Sequence, residues 1–229
     1  MLAGAKYILE LYDNDEFKPF LIQGAHGWGK SSYANSIMAE AYSRYNNGVP
    51  DWKIVEKRIG YTPDEVLNAL DSIPENERWL VFHWDDAGTW LHSLDFQDPF
   101  VKQVGKYMQV ARTDLACMIF STISVGDVSS KIRGIRDAII IDITKDGCDQ
   151  KSSYNSLKNR RTARAYIERK TWKNRSWKDY QWEEHFDSHV PDKFYYGYSS
   201  YDGYKKIRSK YARLEKQKAR EKLGQINNK

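Results

Sequence analysis

Gly24-Ala25-His26-Gly27-Trp28-Gly29-Lys30-Ser31 reads G-x-x-x-x-G-K-S, and a second serine, Ser32, follows. Just before it, Phe20-Leu21-Ile22 is a short apolar run that predicts a buried strand. After it, Ala34, Ile37, Met38, Ala41 and Tyr45 recur at helical spacing until Asn46-Asn47-Gly48 stops the pattern. Strand, glycine-rich turn and helix, in that order, form the setting in which such a loop wraps a phosphate. Glycines let the backbone turn its N–H groups inward, and the helix aims the positive end of its dipole at the anion. Gly24 to Ser32 are therefore expected to cradle the phosphates of ATP or a related nucleotide. Lys30 is expected to reach the β- and γ-phosphates, and Ser31 to coordinate Mg2+. Trp28 is bulky for a loop that hugs phosphate and is expected to pack on its outer side.

Outward from the loop, apolar strands alternate with helical stretches. A weak helix is read at Lys6–Tyr12 and a strand at Val55–Tyr61. Thr62-Pro63-Asp64-Glu65 opens a helix with a capping box and proline at its first position. Strands are read at Trp79–Trp84, Ala116–Thr122 and Ala138–Ile143, with helices at Asp98–Arg112 and Val128–Ile135 between them. Strands apolar on both faces, separated by helices, predict an α/β fold built on a parallel sheet.

The third of these strands ends at Asp85-Asp86. A carboxylate at the end of a neighbouring strand faces the phosphate loop across the top of a parallel sheet. Asp85 is expected to hold Mg2+ through water beside Ser31, and Asp86 to orient or activate the attacking water. His26 and His83 are given no role.

Together these residues resemble the AAA+ branch of P-loop ATPases, and within it the initiator-like and loader-like ATPases of archaeal viruses and plasmids. The likeness covers roughly residues 18–144. By that resemblance Ser121 or Thr122, at the end of the fourth strand, would contact the γ-phosphate or the water. Arg133 and Arg136, just before the fifth strand, would be candidates for an arginine finger reaching into a neighbour's site. The resemblance further implies a homo-oligomer, such as a hexameric ring. Two features depart from the family. Its acidic pair is usually Asp-Glu, and the shorter Asp86 sets its oxygens further back. Its helical lid is replaced here by a strand, an aromatic loop and a tail, which resemble the compact ends of DNA-pumping ATPases.

Charge divides the chain. Residues 1–150 carry 15 Lys and Arg against 22 Asp and Glu, whereas residues 151–229 carry 21 against 9. The stretch from Lys158 to Lys178 interleaves its cations with Tyr166, Trp172 and Trp177, and Tyr180 and Trp182 follow. Thr162–Trp172 is strand-like, with Ala163, Ala165 and Ile167 on one side. Such a surface suits DNA, through counterion release and stacking on bases, and DNA is the expected partner of residues 151–229. The organisation expected is a P-loop NTPase core over 1–144, a polar linker over 145–159, a basic, aromatic-rich C-terminal extension over 160–203, and a basic helical tail over 204–229. Cys117 and Cys148 have no zinc or disulfide spacing, and Cys117 reads as a core residue. No run is apolar enough to cross a bilayer, so a cytoplasmic protein with no membrane partner is expected. The function expected is ATP binding and hydrolysis acting on DNA as an oligomer. A non-catalytic nucleotide switch with a protein partner and a P-loop kinase are the alternatives.

Overall fold

The computed structural model describes residues 1–145, 160–170 and 176–188, and in the tail 209–214, 216–217 and 220–221. Seven strands form one sheet in the order β2-β3-β4-β1-β5-β6-β7. They are β1 Lys18–Gln23, β2 Ile59–Gly60, β3 Trp79–Trp84, β4 Leu115–Thr122, β5 Ile139–Thr144, β6 Arg160–Lys170 and β7 Ser176–Asp187. β1 to β5 pair in parallel, and β6 and β7 are added antiparallel at one edge. The sheet is thus mixed rather than wholly parallel. The helices are α1 Ala3–Asp13, α2 Lys30–Tyr42, α3 Trp52–Lys57, α4 Pro63–Asp71, α5 Pro99–Tyr107 and α6 Ser130–Arg133.

Strand alternation sends side chains to two cores. Phe20, Ile22, Ile119, Ile139 and Ile141 meet Ile8 of α1 and Ile37 and Met38 of α2. Leu21, Phe82, Met118, Phe120 and Ile140 meet Val66, Val101 and Ile132 of α4, α5 and α6. Cys117 is buried in the first core, which pushes its thiol up.

Several elements differ from their sequence reading. Val55 and its neighbours are helical, because the Asp51 carboxylate accepts from the N–H groups of Lys53 and Ile54 and starts α3. Only Ile59–Gly60 remains as strand before the Thr62 capping box opens α4. α5 stops at Tyr107, and a separate 3-10 turn covers Ala111–Thr113. α2 ends at Tyr42, whose buried hydroxyl donates to the Val81 carbonyl at 3.0 Å, while Tyr45 is exposed.

The sheet also crosses the boundary expected between core and extension. β6 pairs with β5 from Thr144↔Thr162 to Ile139↔Ile167. Ala163, Ala165 and Ile167 thereby join the core of α1 and α2. A bulge shifts the β6–β7 register, so that Ala165 faces Trp182 but Tyr166 faces Tyr180. Gln181 is the extra residue, and it reverses the alternation of β7. Trp182 therefore turns inward onto Tyr7 and Phe20, with ring centroids at 5.2 and 5.9 Å, while Tyr180 stays 66% exposed. Glu184, on the same inward side, accepts from the N–H groups of Ala3 and Gly4 and from the Tyr33 hydroxyl. A carboxylate on the free N–H groups of a helix start contributes about 1 kcal/mol. β7 is thus fastened to both α1 and α2.

The linker beyond Lys145, Cys148, Trp172, Lys173, Arg175, the Tyr/Ser/Gly loop at 197–203 and much of the 204–223 helix lie outside the described residues. Residues 209–214 are helical. There Tyr211 stacks on Tyr61, with centroids 4.7 Å apart, and its hydroxyl donates to Glu65. No described helix is long and apolar enough to cross a membrane.

Candidate functional site

The loop between β1 and α2 sits above the middle of the sheet, flanked by the ends of β4 and β5. Gly24 has φ +153, and a Cβ there would lie 2.8 Å from the Ile143 carbonyl oxygen on β5. Gly29 has φ +91, and a Cβ there would meet the Ser188 Cβ at 2.8 Å. Neither position accepts a side chain without strain or displacement. Trp28 is half-buried against the core of α1 and α2, on the loop's outer side. Ala25, His26 and Gly27 form the exposed tip.

Lys30 is 8% exposed, and its ammonium donates to the carbonyls of Gly24, at 2.8 Å, and Ala25, at 3.2 Å. The loop thus turns two of its own carbonyls onto the cation. Beside it, the Ser31 hydroxyl donates to Asp85 Oδ1 at 2.7 Å. The Ser121 hydroxyl donates to the same oxygen, and the Asp86 N–H reaches both Asp85 Oδ1 and Ser121 Oγ at 3.1 Å. Ser31, Asp85 and Ser121, from three separate elements, are gathered in one buried cluster. Thr122 stands apart, donating to the Ser124 carbonyl at 3.2 Å. Asp86 has φ 53, a left-handed conformation that Asp and Asn tolerate better than most residues.

A hydroxyl and a carboxylate fit a hard divalent cation. Among the described residues no three His, Cys, Asp or Glu side chains gather to hold a metal. Two protein groups suit Mg2+, which takes one or two protein oxygens and completes its shell with phosphate and water.

A second pair lies one step deeper. His83 Nδ1 is 2.8 Å from Asn35 Oδ1, and His83 Nε2 is 3.7 Å from Asp85 Oδ1. Asn35 is four residues after Ser31 on α2, and His83 is two before Asp85 on β3. Four helical rises of about 1.5 Å and two strand rises of about 3.3 Å both advance about 6 Å. The matched spacing is the sequence signal for a role of His83 as the partner of Asn35.

Burial pushes the His83 imidazole down to about 4, with Asp85 pulling weakly the other way. In the unfolded chain His takes a proton near 6.5. Between these values the unfolded chain binds more protons, so stability rises with pH across that window. The group is expected to contribute about 3 kcal/mol at pH 7 that is lost by pH 4. Urea unfolding of wild type and His83→Gln at both pH values checks this: the variant should lose part of the slope.

Arg136 lies away from the cluster, and Arg133 is exposed at the end of α6. Arg136 is 93% exposed on its side chain and approaches only its neighbour Asp137, at 3.9 Å. It precedes β5, at the sheet edge opposite the loop. Ile139 is level with Phe20, four residues short of Gly24.

No family model matches the chain. It is similar to uncharacterized protein B-251 of Sulfolobus spindle-shape virus 1, with 26% identity over 144 residues. That alignment takes in 61% of this chain and 56% of the viral protein, so the chain spans little more than half the length of the relative it matches. Among solved structures, the N-terminal domain of zonular occludens toxin from Neisseria meningitidis aligns at 13% identity with a TM-score of 0.40, covering 78% of this chain and 97% of that one.

Proposed function

We propose that this protein binds ATP with Mg2+ at the loop from Gly24 to Ser32 and hydrolyses it. The observation that supports the reading is the meeting of Ser31, Asp85 and Ser121 beside the loop that encloses Lys30. Mg2+, when bound beside Ser31 and Asp85, would supply charge neutralisation for the β- and γ-phosphates. Lys30 would turn from its carbonyl partners to the same phosphates. Ser121, whose hydroxyl donates to Asp85, would turn that hydroxyl to the γ-phosphate. Asp86 orients the water that attacks.

The test is phosphate release from MgATP by wild type and Asp86→Asn. Asn keeps the left-handed turn and removes only the charge. ATP binding should persist while turnover falls about 10²-fold, the lower range for loss of a general base. Turnover equal to wild type removes Asp86 from the role. Binding without any phosphate release by wild type leaves a nucleotide switch instead.

DNA is the partner proposed for the last third, in a motor or loader that works as an oligomer. Charge supports this, but the described hairpin contributes little of it. Arg164 pairs with Glu183 at 2.7 Å, Arg169 with Asp137 and Asp179, and Lys178 with Asp142 at 3.2 Å. Lys210, Arg213, Lys216 and Arg220 of the tail are exposed. DNA affinity is accordingly expected to follow the tail. Deleting residues 204–229 should weaken binding to any sequence and flatten its salt dependence, by about 0.9 in slope for each lost phosphate contact. ATP binding should be nearly unchanged. Equal salt slopes with and without the tail would exclude it as the DNA contact.

A further inference from the structure

We propose that the base and sugar of the nucleotide occupy the cleft walled by Arg160, His185, Phe186 and Asp187, so that the start of β6 and the end of β7 select the nucleoside. This rests on the nucleotide reading above and gives that site its second half.

The direction of the bound molecule follows from two adjacent serines. Ser31 turns its hydroxyl to Asp85, at the end of β3. Ser32 turns its hydroxyl to the Ser188 carbonyl, just past β7, at 3.1 Å. Successive helical residues diverge by about 100°, so the two hydroxyls serve opposite flanks of the helix start. The flank of Ser31, Asp85 and Ser121 suits the metal and the terminal phosphate. The other end of the polyphosphate then leaves over Ser32, toward β7.

What stands on that flank is a built cleft. Arg160 faces Asp187 across the β6–β7 ladder, followed by Arg161↔Phe186 and Thr162↔His185. Thr162 is level with Thr144, the last residue of β5, so Arg160 overhangs the top of the sheet. Arg160, His185, Phe186 and Asp187 line an open groove of about 340 Å³. Small-ligand sites start at about 300 Å³. The groove and the phosphate loop share Phe186, whose ring would lie 3.5 Å from a Cβ at Gly29.

Its chemistry suits a nucleoside. His185 is exposed, and its Nδ1 is held 3.0 Å from the Thr162 hydroxyl, so the ring is oriented with a face for a base. Asp187 supplies an acceptor for sugar hydroxyls and Arg160 supplies donors for a base edge. A second cavity, of about 240 Å³ between α4 and α5, is walled by Val66, Leu70, Trp84 and Phe100 and reaches Asp114 before β4, at the end of the sheet away from the loop.

The test compares MgATP with magnesium tripolyphosphate, which has the phosphates and no nucleoside, by calorimetric titration. Wild type, His185→Ala, Asp187→Asn, Arg160→Ala and Lys30→Ala are measured, with melting curves to establish folding. Arg160→Ala changes an exposed side chain and serves if the other two hairpin variants do not fold. The hairpin variants are expected to bind tripolyphosphate within about twofold of wild type and ATP about tenfold more weakly. Lys30→Ala should lose both. If ATP binds the hairpin variants at wild-type strength, the nucleoside lies elsewhere and the inference is overturned while the nucleotide reading stands. If ATP and tripolyphosphate weaken together, these residues only support the loop, and the inference is again overturned. If wild type binds neither ligand, the nucleotide reading itself fails.

Discussion

Lys30→Ala is expected to lower ATP affinity about 10²- to 10³-fold and to leave no measurable turnover at ordinary nucleotide concentrations. The Lys30 ammonium is nearly buried, and it donates to two neutral carbonyls of its own loop. A triphosphate would replace these with charged oxygens, and each charge-assisted hydrogen bond contributes about 1.5–3 kcal/mol. Losing two such bonds, at the lower end of that range, costs about 3–4 kcal/mol, or roughly two to three powers of ten in affinity. The contacts to Gly24 and Ala25 matter little to the fold, because both residues lie in the same turn as Lys30. The melting temperature should therefore move by only a few degrees. Titration with ATP and a melting curve on the same sample check both halves. Unchanged affinity in a folded variant would refute the loop's assignment.

The reason this prediction was open to sequence reading is local. Phe20 to Ser32 specify strand, turn and helix within thirteen residues, and nothing distant has to be known. The meeting of Ser31 with Asp85 was legible for a related reason: both stand at strand or helix ends on the same edge of a parallel sheet. The Asn35–His83 pair was legible in principle from matched spacing on α2 and β3. Val55 is helical despite its alternating neighbours, because the Asp51 cap outweighs so short a pattern. What could not be read was anything set by register across the β6–β7 hairpin. The bulge at Gln181 decides that Trp182 packs, Tyr180 is exposed and Glu184 reaches the start of α1. It also sets where the chain goes after β7, and hence that Ser188 touches Gly29 and Ser32. No periodicity before that point carries this information, because one inserted residue reverses every side chain after it.

Arg136→Ala is expected to lower turnover about 10³-fold while ATP affinity stays near wild type, if the protein works as an oligomer. The argument is geometric. Ile139 is level with Phe20, so β5 begins four residues, or about 13 Å, below Gly24 along the strands. Arg136 lies further back and is almost wholly exposed. It does not lie beside the phosphate loop of its own chain, and its only ion-pair partner among the described residues is Asp137, at a loose 3.9 Å. A guanidinium so placed either does nothing for catalysis or serves a neighbouring copy. An arginine supplied in trans is worth about 10³-fold or more in rate, because it meets charge that develops on the transferred phosphoryl group. Mixing decides between these possibilities. Arg136→Ala protein keeps an intact loop and lacks the donor, whereas Lys30→Ala protein keeps the donor and lacks the loop. Equal amounts of the two, each inactive alone, should recover part of the wild-type rate at shared interfaces, and the recovery should fall on dilution. Arg133→Ala serves as the comparison, since Arg133 is also exposed but three residues earlier, at the end of α6. If the mixture stays inactive, or if Arg136→Ala turns over at the wild-type rate, no arginine is being shared through Arg136. Hydrolysis must then depend on Lys30, Ser31, Asp85 and Asp86 within one chain.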